Sequence, residues 1–220
     1  MALTKTERLQ ILETVDLYPV ISTAYAAGRA SLEVLVGALA GGVKIVQLRE
    51  KEMAMGELYE LALAYRQRTA AAQALLMVND HIDLALAMEA DGVHLGQDDF
   101  PLAAARRIAP ELILGRSTHN LRQALEAQEQ GADYVNIGPI FPTGTKPEHK
   151  VFLGPQAIRE IGPRLRIPFT VMGGIHAGNI GQVVAAGARR IAVVTAVTQA
   201  PDIAAAVREL RRIILGAERL

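Results

Sequence analysis

Eight times along the chain, a short apolar run ends in a small group of polar or glycine residues. The runs are residues 17–22, 43–48, 75–78, 92–95, 112–115, 134–138, 168–172 and 190–194. Each is rich in branched side chains and bounded by Gly, Pro, Asp or Asn, which predicts a strand. Several are apolar on consecutive residues, as parallel strands covered on both faces must be. The stretches between them read as helices. Leu58, Leu61, Ala62 and Tyr65 share one face at i, i+3, i+4, i+7 spacing within 56–72. Asn120 is placed as an N-cap, with Gly131 just past the end of the same helix. Residues 1–13 alternate charge with Leu and Ile and predict a short leading helix. Eight strand–helix units in 220 residues predict one (β/α)8 TIM barrel spanning 1–220 as a single domain. A doubly wound open sheet is the alternative. The similar turns Ala90-Asp91-Gly92, Ala132-Asp133-Tyr134 and Ala188-Arg189-Arg190 suggest a worn internal repeat and favour the barrel.

Composition narrows the chemistry. Half the residues are hydrophobic, but only 4% are aromatic, so Ala, Val, Ile and Leu must build the core. Lys plus Arg equals Asp plus Glu at 23 each, which gives no electrostatic case for nucleic acid or an anionic membrane. Cysteine is absent, removing thiolate nucleophiles, disulfides and Cys-ligated metals. No apolar stretch approaches the ~20 residues that span a bilayer, and no signal-peptide pattern opens the chain. A cytoplasmic protein is the expectation.

In a barrel, the C-terminal ends of all eight strands share one rim. Asp80 and Asp99 follow consecutive predicted strands there, and their carboxylates could converge on a magnesium ion. Asp98 competes with Asp99, and either aspartate could simply cap the next helix. Gln47, Arg49 and Lys51 alternate, so they share one side of the chain while Leu48 points away. An Arg and a Lys side by side can hold a diphosphate, or can pair with Glu50, Glu52 or a nearby Asp. The loop from Gly138 to Lys146 carries two prolines and two glycines that fix its shape. Its Thr143, Thr145 and Lys146 are donors with no apolar purpose and predict phosphate binding. Gly173-Gly174 and Val194-Thr195 follow the seventh and eighth strands, where barrels often bind phosphate. His94 lies within a predicted strand and reads as a core histidine, and His119 sits at the rim. No Ser/His/Asp elbow supports acyl chemistry.

Together and in this order, these strings resemble the thiamine phosphate synthase family. The matching pieces are Val46-Gln47-Leu48-Arg49-Glu50-Lys51, Val78-Asn79-Asp80, Asp91 through Asp99, Ser117-Thr118-His119, the loop Gly138 to Lys146 and Gly173-Gly174-Ile175. The resemblance runs over 18–199. It implies a transferase of thiamine biosynthesis that joins a hydroxymethylpyrimidine diphosphate to a thiazole phosphate, or to its carboxylated form, by a dissociative substitution. By this match Asp80 and Asp99 hold Mg2+, and Arg49, Lys51, Asn79 and Lys146 contact the diphosphate. Gln47 and Ser117 place the pyrimidine, within a substrate-binding stretch that includes Leu48 and Glu50. Thr143, Gly144, Thr145, Gly174, Val194 and Thr195 hold the thiazole phosphate. Both partners are small molecules, and a homodimer is compatible with the reading.

Two stretches depart from the family pattern. The first strand ends in Ser22-Thr23 where relatives commonly have Thr-Asp, and 147–153 is bulkier and more basic than the usual loop. Two other functions compete. A thiazole tautomerase of the same fold would need proton shuttling and no diphosphate apparatus. A barrel that only binds a phosphorylated metabolite would need no complete metal site.

Overall fold

The computed structural model describes residues 3–145 and 151–216. Its strands are β1 (Leu17–Ile21), β2 (Ile45–Leu48), β3 (Leu75–Asn79), β4 (Gly92–Leu95), β5 (Ile113–Thr118), β6 (Tyr134–Ile137), β7 (Phe169–Val171) and β8 (Ile191–Val193). Every neighbouring pair is parallel, and β1 also pairs with β8 through Leu17↔Ile191 and Tyr18↔Ala192. The sheet therefore closes in sequence order, and the open-sheet alternative falls. The helices are α1 (Lys5–Thr14), α2 (Ser31–Ala40), α3 (Met55–Ala71), α4 (Ile82–Ala87), α5 (Leu102–Ile108), α6 (Leu121–Glu129), α7 (Gln156–Ile161), α8 (Ile180–Ala185), α9 (Thr195–Thr198) and α10 (Ile203–Gly216). Asn120 caps α6 as expected, its side chain accepting from the Gln123 N–H at 2.9 Å. No helix among the described residues is long and apolar enough to cross a membrane.

Strand side chains alternate between two cores, as a pleat of period two requires. Val46, Leu48, Leu76, Val78, Val93, Leu95, Val135 and Ile137 face outward and pack under the helices. Tyr18, Ile45, Leu75, Met77, Ile113, Tyr134 and Ala192 face the barrel axis. Leu12 and Val15, from α1 and the turn after it, join that inner cluster and plug the lower, N-terminal end of the barrel. Going up the axis, the lining changes from these apolar residues to a buried polar layer and then to the charged rim. Gly115 makes room for the polar layer, because a Cβ there would lie 2.2 Å from the Tyr134 ring.

The similar helix-to-strand turns have a physical role at the lower end. The Asp91 N–H donates to Leu76 O at 2.9 Å, and the Leu76 N–H returns a bond to Asp91 Oδ2 at 2.8 Å. Asp133 repeats this pattern with Leu114, at 2.8 Å in each direction. Each carboxylate also binds an arginine from the helix before its partner strand, Arg66 of α3 for Asp91 and Arg106 of α5 for Asp133. The leading helix completes both clusters. Lys5 Nζ lies 3.1 Å from Asp133, and Arg8 Nε lies 3.1 Å from Asp91 in ion-pair contact without good hydrogen-bond direction. At the third turn, Arg190 donates to the carbonyls of Leu12 and Glu13 at 3.0 and 2.7 Å. These charges tie the plug to the barrel, far from the upper rim.

Candidate active site

At the upper rim a cleft of about 270 Å³ opens between the strand ends. Gln47, Arg49, Lys51, Asn79, Asp80, Asp99, Ser117, Thr143, Thr145 and Val194 all line it. Period two explains the first three, because each alternate residue leaving β2 turns inward.

Asp80 and Asp99 do converge: their carboxyl groups are close enough to share a hydrogen bond. Burial, then the neighbouring Asp99, raises the Asp80 pKa from the ordinary carboxylate range. Burial pushes Asp99 upward too, but the bond from Asp80 and the Gly96 N–H outweigh it and hold Asp99 low. Two acids pressed together in this way form a donor set that a hard divalent cation suits. Neither is spent as a helix cap. His81 and Pro101 occupy the cap positions of α4 and α5, with no side-chain capping bond. Asp99 instead accepts backward from the Gly96 N–H at 2.6 Å. Asp80 sits at φ +64°, a left-handed conformation that Asp tolerates better than most residues, just past the end of β3. Lys51 Nζ lies 3.2 Å from Asp80, so the cation expected on a leaving group rests on a carboxylate. Among the described residues no carboxylate forms an ion pair with Arg49, which faces the same cleft.

A chain of buried hydrogen bonds forms the cleft floor. Gln47 Nε2 donates to Tyr18 Oη at 2.8 Å, and Tyr18 Oη lies 3.2 Å from Tyr134 Oη. Tyr134 Oη is 2.9 Å from His94 Nδ1, and His94 Nε2 is 2.9 Å from Ser117 Oγ. Burial pushes both tyrosine pKa values up, so both phenols stay protonated.

The second wall is a small side cavity lined by Thr143, Thr145, Gly173, Gly174, Val194 and Thr195. Backbone bonds hold it in shape: the Ile140 and Phe141 N–H groups donate to Met172 O and Gly173 O at 2.9 and 3.0 Å. Gly174, at φ +62°, must be glycine here, since a Cβ would meet Pro142 O at 2.2 Å. Thr143 and Thr145 hydroxyls are 3.0 Å apart. The Thr145 carbonyl accepts from the Tyr25 hydroxyl at 3.1 Å. The cavity ends at Thr195, the first residue of α9, so its donors combine hydroxyls, bare glycine backbone and a short helix start.

Some expected residues lie elsewhere. Leu48 is 1% exposed and packs outward under the helices, which corrects its placement at the substrate. Glu50 turns to the loop after β1, where Oε1 accepts from both the Thr23 N–H and its hydroxyl at 2.8 Å. That bond brings a carboxylate to the rim position where Ser22-Thr23 lacks one. Gly144 lies between the two threonines and lines neither cavity. Lys146 and residues 147–150 lie outside the described residues. One lining residue, Asn136, and two residues buried beneath the floor, Tyr18 and Tyr134, escape the sequence reading. Asn136, Tyr18 and Tyr134 were hidden inside apolar runs, though a polar residue at an inward position of a buried strand was the available signal. His94 is hydrogen-bonded at both ring nitrogens, as a core histidine should be, yet it also lines the cleft.

Comparison with known proteins agrees with this geometry. The sequence model of the thiamine monophosphate synthase family matches residues 17–197. The chain is 46% identical to the thiamine-phosphate synthase of Moorella thermoacetica, over 92% of this chain and 97% of that protein. It is 44% identical to the thiamine-phosphate synthase of Chloroflexus aurantiacus, over 94% and 96%. The solved thiamine phosphate pyrophosphorylase of Pyrococcus furiosus superposes with a TM-score of 0.85 at 37% identity, covering 92% of this chain and 96% of that one. The chain belongs to the thiamine monophosphate synthase family.

Proposed function

We propose that the chain is a transferase joining 4-amino-2-methyl-5-hydroxymethylpyrimidine diphosphate to a phosphoethylthiazole, giving thiamine phosphate and diphosphate. The observation that carries this reading is the pairing of two unlike anion sites in one cleft. One wall has the Asp80–Asp99 pair with Arg49 and Lys51. The other has the neutral donors Thr143, Thr145, Gly174 and Thr195. A tautomerase would have no use for the first wall.

Asp80 and Asp99 are the residues that would hold magnesium, and two carboxylates with water and phosphate oxygens suffice for that ion. When bound, magnesium would offset the negative charge that grows on the departing diphosphate. Arg49 and Lys51 act on the same charge. For Lys51 this means exchanging the Asp80 carboxylate for a phosphate oxygen. The bond from the pyrimidine methylene carbon to oxygen breaks, and its electron pair leaves with diphosphate. The thiazole nitrogen then donates its lone pair to the same carbon. That nitrogen carries no proton, so no general base is needed. The floor holds the pyrimidine through Gln47 and Ser117. The side cavity holds the thiazole phosphate, whose charge does not change during the reaction.

Incubating the purified chain with both substrates and magnesium should yield thiamine phosphate and diphosphate in equal amounts. Removing magnesium with a chelator should stop the reaction, and adding it back should restore it. Formation of hydroxymethylpyrimidine alone, or no product, would refute this function.

A further inference from the structure

We propose that the short turn Thr23–Tyr25 after β1 is a clasp that holds the two walls of the cleft at a fixed spacing, and that Thr23, Tyr25 and Glu50 are positioning residues for the joining of the two substrates. The inference rests on the reaction proposed above. None of the three residues lines either cavity, so each acts through the wall it holds.

Barrel order puts this turn between the walls. β1 pairs with β2 on one side and with β8 on the other. Arg49 and Lys51 leave β2, and Val194 and Thr195 follow β8. The segment is a single 3-10 turn, closed by the Tyr25 N–H on Ser22 O at 3.0 Å and the Ala26 N–H on Thr23 O at 3.1 Å. Its first residue grips the wall of Arg49 and Lys51. The Thr23 N–H and hydroxyl both donate to Glu50 Oε1 at 2.8 Å, and Glu50 sits between the two cations. The Arg49 N–H also donates to Ile21 O at 2.9 Å. The last residue of the turn grips the other wall twice. The Tyr25 hydroxyl donates to Thr145 O at 3.1 Å, and the Tyr25 carbonyl accepts from the Thr198 hydroxyl, in the helix that starts at Thr195. Bonds to a carboxylate are the stronger kind, and three residues of turn leave little slack between the two grips.

Spacing matters because two fates compete for one intermediate. After diphosphate leaves, the thiazole nitrogen gives its lone pair to the methylene carbon. Water that arrives first bonds to that carbon through oxygen and sheds a proton to solvent, leaving hydroxymethylpyrimidine. Displacing either partner by about 1 Å can slow capture by about a hundredfold, whereas water needs no placement. A broken clasp therefore shifts the products toward the alcohol more than it weakens binding at either wall. A clasp also fails as a whole, because cutting either end releases it.

Glu50→Ala frees one end and Tyr25→Phe the other. In the full chain with both substrates and magnesium, each should raise the ratio of hydroxymethylpyrimidine to thiamine phosphate by about fivefold or more. The double variant should match the worse single variant. Glu50→Gln keeps an acceptor oxygen for Thr23 and should recover most of the wild-type ratio. Hydrogen exchange followed by mass spectrometry, without substrate, should be faster over 143–145 in Glu50→Ala, on the opposite wall from the substitution. In Tyr25→Phe it should be faster over 49–52. A product ratio within about twofold of wild type, effects that multiply in the double variant, or unchanged exchange on the far wall would each overturn the proposal. So would a Glu50→Gln protein as impaired as Glu50→Ala, since charge alone would then be at work. If Glu50→Ala does not fold, Tyr25→Phe and its exchange over 49–52 decide. No thiamine phosphate from the wild type would instead fault the reaction reading, and exchange would still decide the clasp.

Discussion

Asp80, Asp98 and Asp99 stand within one cleft, yet they are not equivalent. Asp80 and Asp99 perturb each other's charge, and neither caps a helix. We predict that Asp80→Asn and Asp99→Asn each reduce kcat by about a hundredfold or more, corresponding to roughly 3 kcal/mol of lost transition-state stabilisation. Asp98→Asn should retain far more activity than Asp99→Asn. Parallel rate measurements with circular dichroism on the three variants check this, and the reverse order would move the second ligand to Asp98. The carboxylates were legible in the sequence because each follows a strand. The sequence left ligand and helix cap as competing roles. Only the backbone excludes the cap, through the left-handed Asp80 and the backward turn at Gly96.

At the level of elements, β5 shows where reading apolar runs stops working. The run ends at Gly115, but the strand continues through Arg116, Ser117 and Thr118. Ladder bonds to Val135, Asn136 and Ile137 of β6 carry it on, and the polar side chains have their own uses. Arg116 donates to Gln97 O at 3.0 Å, holding the segment that carries Asp99, while Ser117 points into the floor. The worn repeat, by contrast, was legible, and its Asp91 and Asp133 serve stability. Asp91 is 2% exposed and holds Arg66, Arg8 and the Leu76 N–H. We predict that Asp91→Asn lowers unfolding stability by about 3 kcal/mol, or roughly 6–12 °C in Tm, with kcat and KM near wild type. Thermal denaturation alongside kinetics checks this. A stable Asp91→Asn protein would mean that the arginines find other partners.

Across the whole molecule, a single axis orders the parts. The α1 plug and apolar layer give a rigid base, the tyrosine–histidine layer a polar floor, and the rim two polar cavities. Strand count and rim motifs were legible because a barrel gathers all strand ends on one face. The floor was not, because its tyrosines lie 116 residues apart in the chain and meet only once the sheet closes. The central claim is that the two rim walls have separate duties, one for the leaving group and one for the acceptor. On the proposed function, Thr145 would touch a phosphate whose charge is constant, so ground and transition states should lose equally when its hydroxyl is removed. The most direct measurement is steady-state kinetics of Asp99→Asn and Thr145→Val in one assay. Asp99→Asn should lower kcat by about a hundredfold and leave the thiazole phosphate KM within a few fold. Thr145→Val should raise that KM roughly tenfold with kcat nearly unchanged. If both variants shift the same parameter, the walls do not divide the work and the account is wrong.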